Sequence, residues 1–136
     1  MVRGKVRGAR LDRRDSRTIL FDATAALLSE RSTIEVSLSE IAQHSGLNSA
    51  LIKYYFGSKE GLLLALLERV AERSMADLAA LVRMDISAEQ KLRIHISGII
   101  NTYYRSPYVN RLINYMIVQG DTVSSQKVAK IFVEPM

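Results

Sequence analysis

The chain has 136 residues, 48% hydrophobic and 24% charged, the size and composition of one ordinary globular domain. It contains no Cys, which excludes disulfides, thiol catalysis and Cys-ligated zinc and favours a cytoplasmic setting. The net charge of +5 lies wholly on residues 1–17, with seven bases and two acids there against twelve of each in the rest. A basic arm on a neutral body suits a polyanion such as nucleic acid or an anionic membrane.

Residues 1–15 read as this basic, flexible arm, with two glycines and no apolar stripe. Asp15 or Ser16 is the expected cap of the first helix. From Arg17 to Ser29, Ile19, Leu20, Ala23, Ala26, Leu27 and Leu28 recur at helical spacing. Arg31 to Val36 interrupts this with β-branched residues and shows no apolar face. Ser37-Leu38-Ser39-Glu40 forms a capping box for a short helix to about His44. Gly46 ends it, because the turn needs positive φ at low cost. Asn48 or Ser49 caps a second short helix running to about Tyr55. Tyr55 and Phe56 are neighbours on one helix and cannot both face inward, so one is expected to be exposed.

Gly57-Ser58 breaks the chain again and Ser58 caps a long helix to about Met84. Its roughly 26 residues span about 39 Å, enough to link two layers. The longest apolar run, Leu62 to Leu67, has six residues, far short of a membrane span. Ser87-x-x-Gln90 is a second capping box. It opens a helix marked by Leu92, Ile96, Ile99, Ile100 and Tyr103 and stopped by Ser106-Pro107. His95 is expected to pack beside Ile94 and Ile96. Tyr108 to Gln119 makes a shorter helix, and Ser124 to about Val133 the last, its apolar spacing unfinished where the chain stops. The class is all-α.

The two short helices form a candidate helix-turn-helix. Ala42 allows close crossing, Gly46 makes the turn, and Ile52, ten residues after Ala42, plugs the angle between the helices. Ile41 and Leu47 add apolar contacts. No nucleophile motif, phosphate loop or carboxylate pair accompanies it, so an enzyme is not expected. Two His without Cys make no zinc site. No cofactor is expected.

Residues 36–63, and above all the run YYFGSKEGLL at Tyr54–Leu63, resemble the DNA-binding region of tetracycline-repressor (TetR) type transcription regulators. The resemblance covers roughly residues 16–68. It implies a three-helix DNA-binding domain over 16–60 and a helical effector-binding and dimerisation domain over 61–136. Such relatives usually continue through further helices, so the second domain is expected to be partial. The partners implied are double-stranded operator DNA, a second copy of the chain and a small-molecule effector, with no membrane. By matching position, Asn48, Ser49, Ala50, Leu51, Lys53 and Tyr54 would face the major groove. Tyr55 and Lys59 would hold phosphates, Ser37 and Ser39 would lie near the DNA backbone, and Ile52 and Phe56 would be core. Many relatives carry Gly or Pro and then a small residue where this chain has Ala50-Leu51, and an aromatic where it has Lys53. Asn101, Tyr103, Tyr104, Tyr108, Arg111, Asn114 and Met116 are the residues that would line an effector pocket.

Overall fold

A computed structural model describes residues 13–132. They form seven helices: α1 (Arg13–Glu30), α2 (Leu38–Ser45), α3 (Ser49–Phe56), α4 (Lys59–Arg83), α5 (Ala88–Arg105), α6 (Tyr108–Val118) and α7 (Thr122–Phe132). No strand occurs among the described residues. The greater part of the basic arm, residues 1–12, lies outside them.

Local signals place most helix ends. The Ser37 and Ser87 capping boxes both form, with Glu40 and Gln90 returning to the cap backbone. Gly46 closes α2 at φ 71°, and its N–H donates to the Ala42 carbonyl at 2.9 Å. Ser58 accepts from the Gly61 N–H at 3.0 Å and starts α4. Two starts differ from expectation. Helix α1 begins at Arg13, two residues before the nearer expected cap, because arginine is a good helix former and nothing in Arg13-Arg14-Asp15 stops the helix. Helix α7 begins at Thr122 instead of Ser124, since the Asp121 carboxylate accepts from the Ser124 N–H at 2.7 Å. That bond also lowers the Asp121 pKa.

The 25 residues of α4 run about 37 Å and form the spine. Leu20 and Leu28 of α1, Ile41 of α2, Ile52 of α3, Leu62, Leu63 and Leu67 of α4, Leu112 and Met116 of α6 and Val128 of α7 are all fully buried in one continuous core. The helix-turn-helix and the helices after it therefore share that core. The 31–36 connection also contributes, contrary to expectation, with Val36 buried and Ile34 packed against the core. Arg111 joins the layers from the other side. Its guanidinium donates to the carbonyls of Leu28 at 3.0 Å and Arg31 at 2.7 Å, the end of α1 where carbonyls lack helical partners.

Helix α5 is the exception. It has no buried residue, and Leu92, Ile96, Ile99, Ile100 and Tyr103 are exposed. The periodicity is correct, but the helix packs mainly on α4 and α6, and its apolar positions extend beyond the strip they cover.

Candidate nucleic-acid interface

Helix α3 has one side fixed and one side open. Ile52 is completely buried. One turn on, Phe56 meets Phe21 of α1 with ring centroids 5.3 Å apart, and the Arg17 guanidinium lies 5.4 Å from the Phe56 ring centre. On the opposite side Ala50, Lys53 and Tyr54 are exposed. They are related by i, i+3 and i, i+4 and so form one stripe. Tyr54 is 66% exposed, the most open aromatic of the helix-turn-helix.

The flanking candidates hold different positions. Ser37 and Ser39 are exposed at the start of α2, and the Ser37 hydroxyl accepts from the Glu40 N–H at 3.1 Å. Asn48 is the N-cap of α3, and its Oδ1 accepts from the Ala50 N–H at 2.9 Å. That oxygen is engaged locally, which leaves the Nδ2 group to face outward. Ser49 and Leu51 are half-buried, with Leu51 packed against the core. Lys59 is half-exposed at the first position of α4, beside the free N–H groups of a helix start.

Tyr55 and Phe56 are both half-buried and both packed against the core. The expectation that one is exposed is corrected: the end of α3 sits in a corner with α1 on one side and α4 on the other, so adjacent positions each find cover. Tyr54 is the exposed member of the run, with its ring edge-on to Tyr55 at 5.1 Å.

The charged side chains of α2 and α3 apart from His44 are Glu40 and Lys53. The one carboxylate of α2 is Glu40, and it is held by Arg31 at 2.5 Å and by the Ser37 N–H at 2.8 Å. The Arg31 hydrogen bond, with help from Ser37, lowers the Glu40 pKa to about 2. This contribution to stability is complete above the ordinary glutamate value of 4.5 and is lost as pH falls towards 2. Acid unfolding of Glu40→Gln, followed by circular dichroism, is expected to show a shallower loss of stability below pH ~5 than the parent. Equal slopes would remove Glu40 from the account. The Arg31 pairing was not visible in the sequence, where only the Ser37–Glu40 spacing stands out.

The residues expected to line a pocket gather only in part. Two clefts lie along α4 and α5. One, of about 370 Å³, includes Asn101 and Tyr108 in its wall; the other, of about 520 Å³, includes Tyr103. Tyr104 is 86% exposed and Asn114 is exposed, and neither lines either of these two clefts. Met116 is fully buried in the core, and Arg111 is committed to the end of α1. Helix positions after Ala88 do not share a face merely by being close in sequence. His95 is also corrected: it is exposed and lines the larger cleft, because α5 turns that side away from the core. Among the described residues no cluster of His, Asp and Glu could hold a metal ion, and no helix is long and apolar enough to cross a membrane.

A three-helix reading head carrying an open stripe on its last helix defines the class, a helix-turn-helix protein. Residues 20–66 match the family "Bacterial regulatory proteins, tetR family", and residues 85–136 match "Tetracyclin repressor-like, C-terminal domain". The chain belongs to the TetR family of regulators. It is 30% identical over 90 residues to the HTH-type transcriptional regulator BetI of Rhizobium meliloti, covering 66% of this chain and 42% of that protein. To BetI 2 of Chromohalobacter salexigens it is 34% identical over 81 residues, covering 60% and 38%. The chain thus spans about two-fifths of these relatives' length. The crystal structure of the TetR family repressor AlkX from Dietzia sp. aligns with a TM-score of 0.62 at 22% identity, over 85% of this chain and 65% of that one, a likeness of fold.

Proposed function

We propose that this chain is a sequence-specific DNA-binding transcription regulator, acting in the cytoplasm as a homodimeric repressor that a small-molecule effector releases. The observation that carries the reading is α3, anchored through Ile52 and open along Ala50, Lys53 and Tyr54. A helix so held can enter the major groove without losing its own packing. In this reading Ala50 and Leu51 touch base methyls, Ser49, Lys53, Tyr54 and the Asn48 amide reach base edges, and Tyr55, Lys59, Ser37 and Ser39 hold the phosphate backbone. Residues up to about 60 read DNA and the remainder senses the effector and dimerises. The relatives' description as HTH-type transcriptional regulators supports the assignment.

Lys59→Ala tests it. Binding to operator and random duplex is expected to weaken about equally, and the slope of log K against log salt to shrink by about 0.9, one phosphate contact. Titrations at several salt concentrations read the slope. An unchanged slope would remove Lys59 from the phosphate contacts, and unchanged affinity in Lys53→Ala and Tyr54→Ala as well would remove α3 from the groove.

A further inference from the structure

The two clefts adjoin, and their walls share Val70, Ser74, Asp77, Gly98 and Thr102. Three of these are small, and a Cβ built on Gly98 would meet nothing within 4 Å, so the boundary between the clefts is open. Their chemistry differs. The larger is walled by Leu78, Leu81, Ile94, Ile99, Val109 and Ile113, with Asp77 and His95 its titratable side chains apart from Tyr103. The smaller carries Arg69 and Arg73 from α4 and Arg105 from α5. Two carboxylates face these guanidiniums, Asp22 and Asp77. Asp22 lies 3.7 Å from Arg69, and Asp77 follows Arg73 by one helical turn, within reach of it. The smaller cleft retains an excess of one positive charge, and among the described residues neither Arg73 nor Arg105 is in an ion pair.

From this juxtaposition we propose that the effector is an anionic amphiphile, an aliphatic carboxylate whose chain fills the apolar cleft and whose head group sits among Arg69, Arg73 and Arg105. The inference rests on the effector reading above and names its ligand class. Guanidinium groups suit a carboxylate because each presents paired N–H donors. Ligand sites of this volume are commonly mostly apolar, with a few polar groups that fix orientation. The position of the head supplies a route to the reading head. Arg69 of α4 spans to α1, where it pairs with Asp22 and lies 5.2 Å from the centre of the Phe21 ring. Phe21 in turn packs on Phe56 at the end of α3. A carboxylate that draws Arg69 away from Asp22 weakens the contact between α4 and the helix that supports α3. Release then follows from unequal ligand affinity for the two arrangements.

The test is calorimetric titration of the full chain with decanoate, decanol and decyltrimethylammonium, each below its micellar concentration. Decanoate is expected to bind best, and Arg73→Gln and Arg105→Gln to weaken it about ten- to hundredfold each while leaving decanol binding unchanged. Both arginines are exposed, so the variants keep the fold, as circular dichroism would verify. Equal or tighter binding of decyltrimethylammonium, no binding of decanoate, or decanoate binding indifferent to both substitutions would overturn the proposal. Duplex-DNA binding with and without saturating decanoate separates the two readings. Bound decanoate that leaves DNA affinity unchanged defeats the effector reading and spares the ligand assignment, whereas release by another ligand class alone does the reverse.

Discussion

Ile52→Ala is expected to destabilise the protein by about 2–5 kcal/mol, a large part of the total for a domain of this size. Ile52 is completely buried at the angle between α2 and α3, in contact with the core that also holds Ile41, Leu20 and Leu63. Removing its branched end leaves a cavity between helices that are each only eight residues long and have little stability of their own. Urea unfolding measures the loss. Ile52→Val is expected to cost only about 0.5–1.5 kcal/mol, because it keeps the β-branch and most of the volume. DNA affinity should follow the same order, since α3 is held in place mainly from its inner side. A loss below about 1 kcal/mol for the Ala variant would mean that the site collapses to fill the space.

Gly61→Ala is expected to destabilise by about 1–3 kcal/mol, although an exposed helical Gly→Ala exchange ordinarily gains up to about 1 kcal/mol. A Cβ at this position would overlap the backbone carbonyl oxygen of Phe56, the last residue of α3. No rotamer relieves a clash with backbone, so the end of α3 must move away from α4. Gly98 provides the contrast. It is also helical, has open space where its Cβ would be, and Gly98→Ala should be neutral to stabilising. Thermal unfolding of both variants reads the difference, and a gain in Gly61→Ala equal to that in Gly98→Ala would refute the close approach. Gly61 forms part of the YYFGSKEGLL run, and this clash accounts physically for a glycine in the first turn of a long helix.

Much of the helical architecture was legible in the sequence because its signals are short-ranged. The Ser37–Glu40 and Ser87–Gln90 boxes, the positive φ at Gly46 and the Ser58 cap each depend on hydrogen bonds or steric limits within about one helical turn. Ile41 and Ile52 were identifiable as core because helix-turn-helix spacing leaves those positions no other side to face. The Asp121 cap of α7 is equally local, its carboxylate accepting from the Ser124 N–H three residues on. Asn48 shows where such reasoning stops. Its residue type allows both capping and base contact, and only the backbone geometry shows its Oδ1 turned to the Ala50 N–H.

An all-α chain, its helix boundaries to within a few residues, and a resemblance to a TetR-type helix-turn-helix are readable from residue order alone. Periodicity and capping are properties of single helices, set by neighbours three or four residues apart. What those helices share comes from their packing against one another. Arg111 reaches across 83 positions to the Leu28 carbonyl, and Arg69 spans α4 to α1 to meet Phe21 and Asp22. Tyr104 is left in solvent while Tyr108, four residues later, is buried, because α5 ends at Ser106-Pro107 and the chain turns between them. Those outcomes depend on the angles and distances at which helices cross, and they arise from packing the whole core at once.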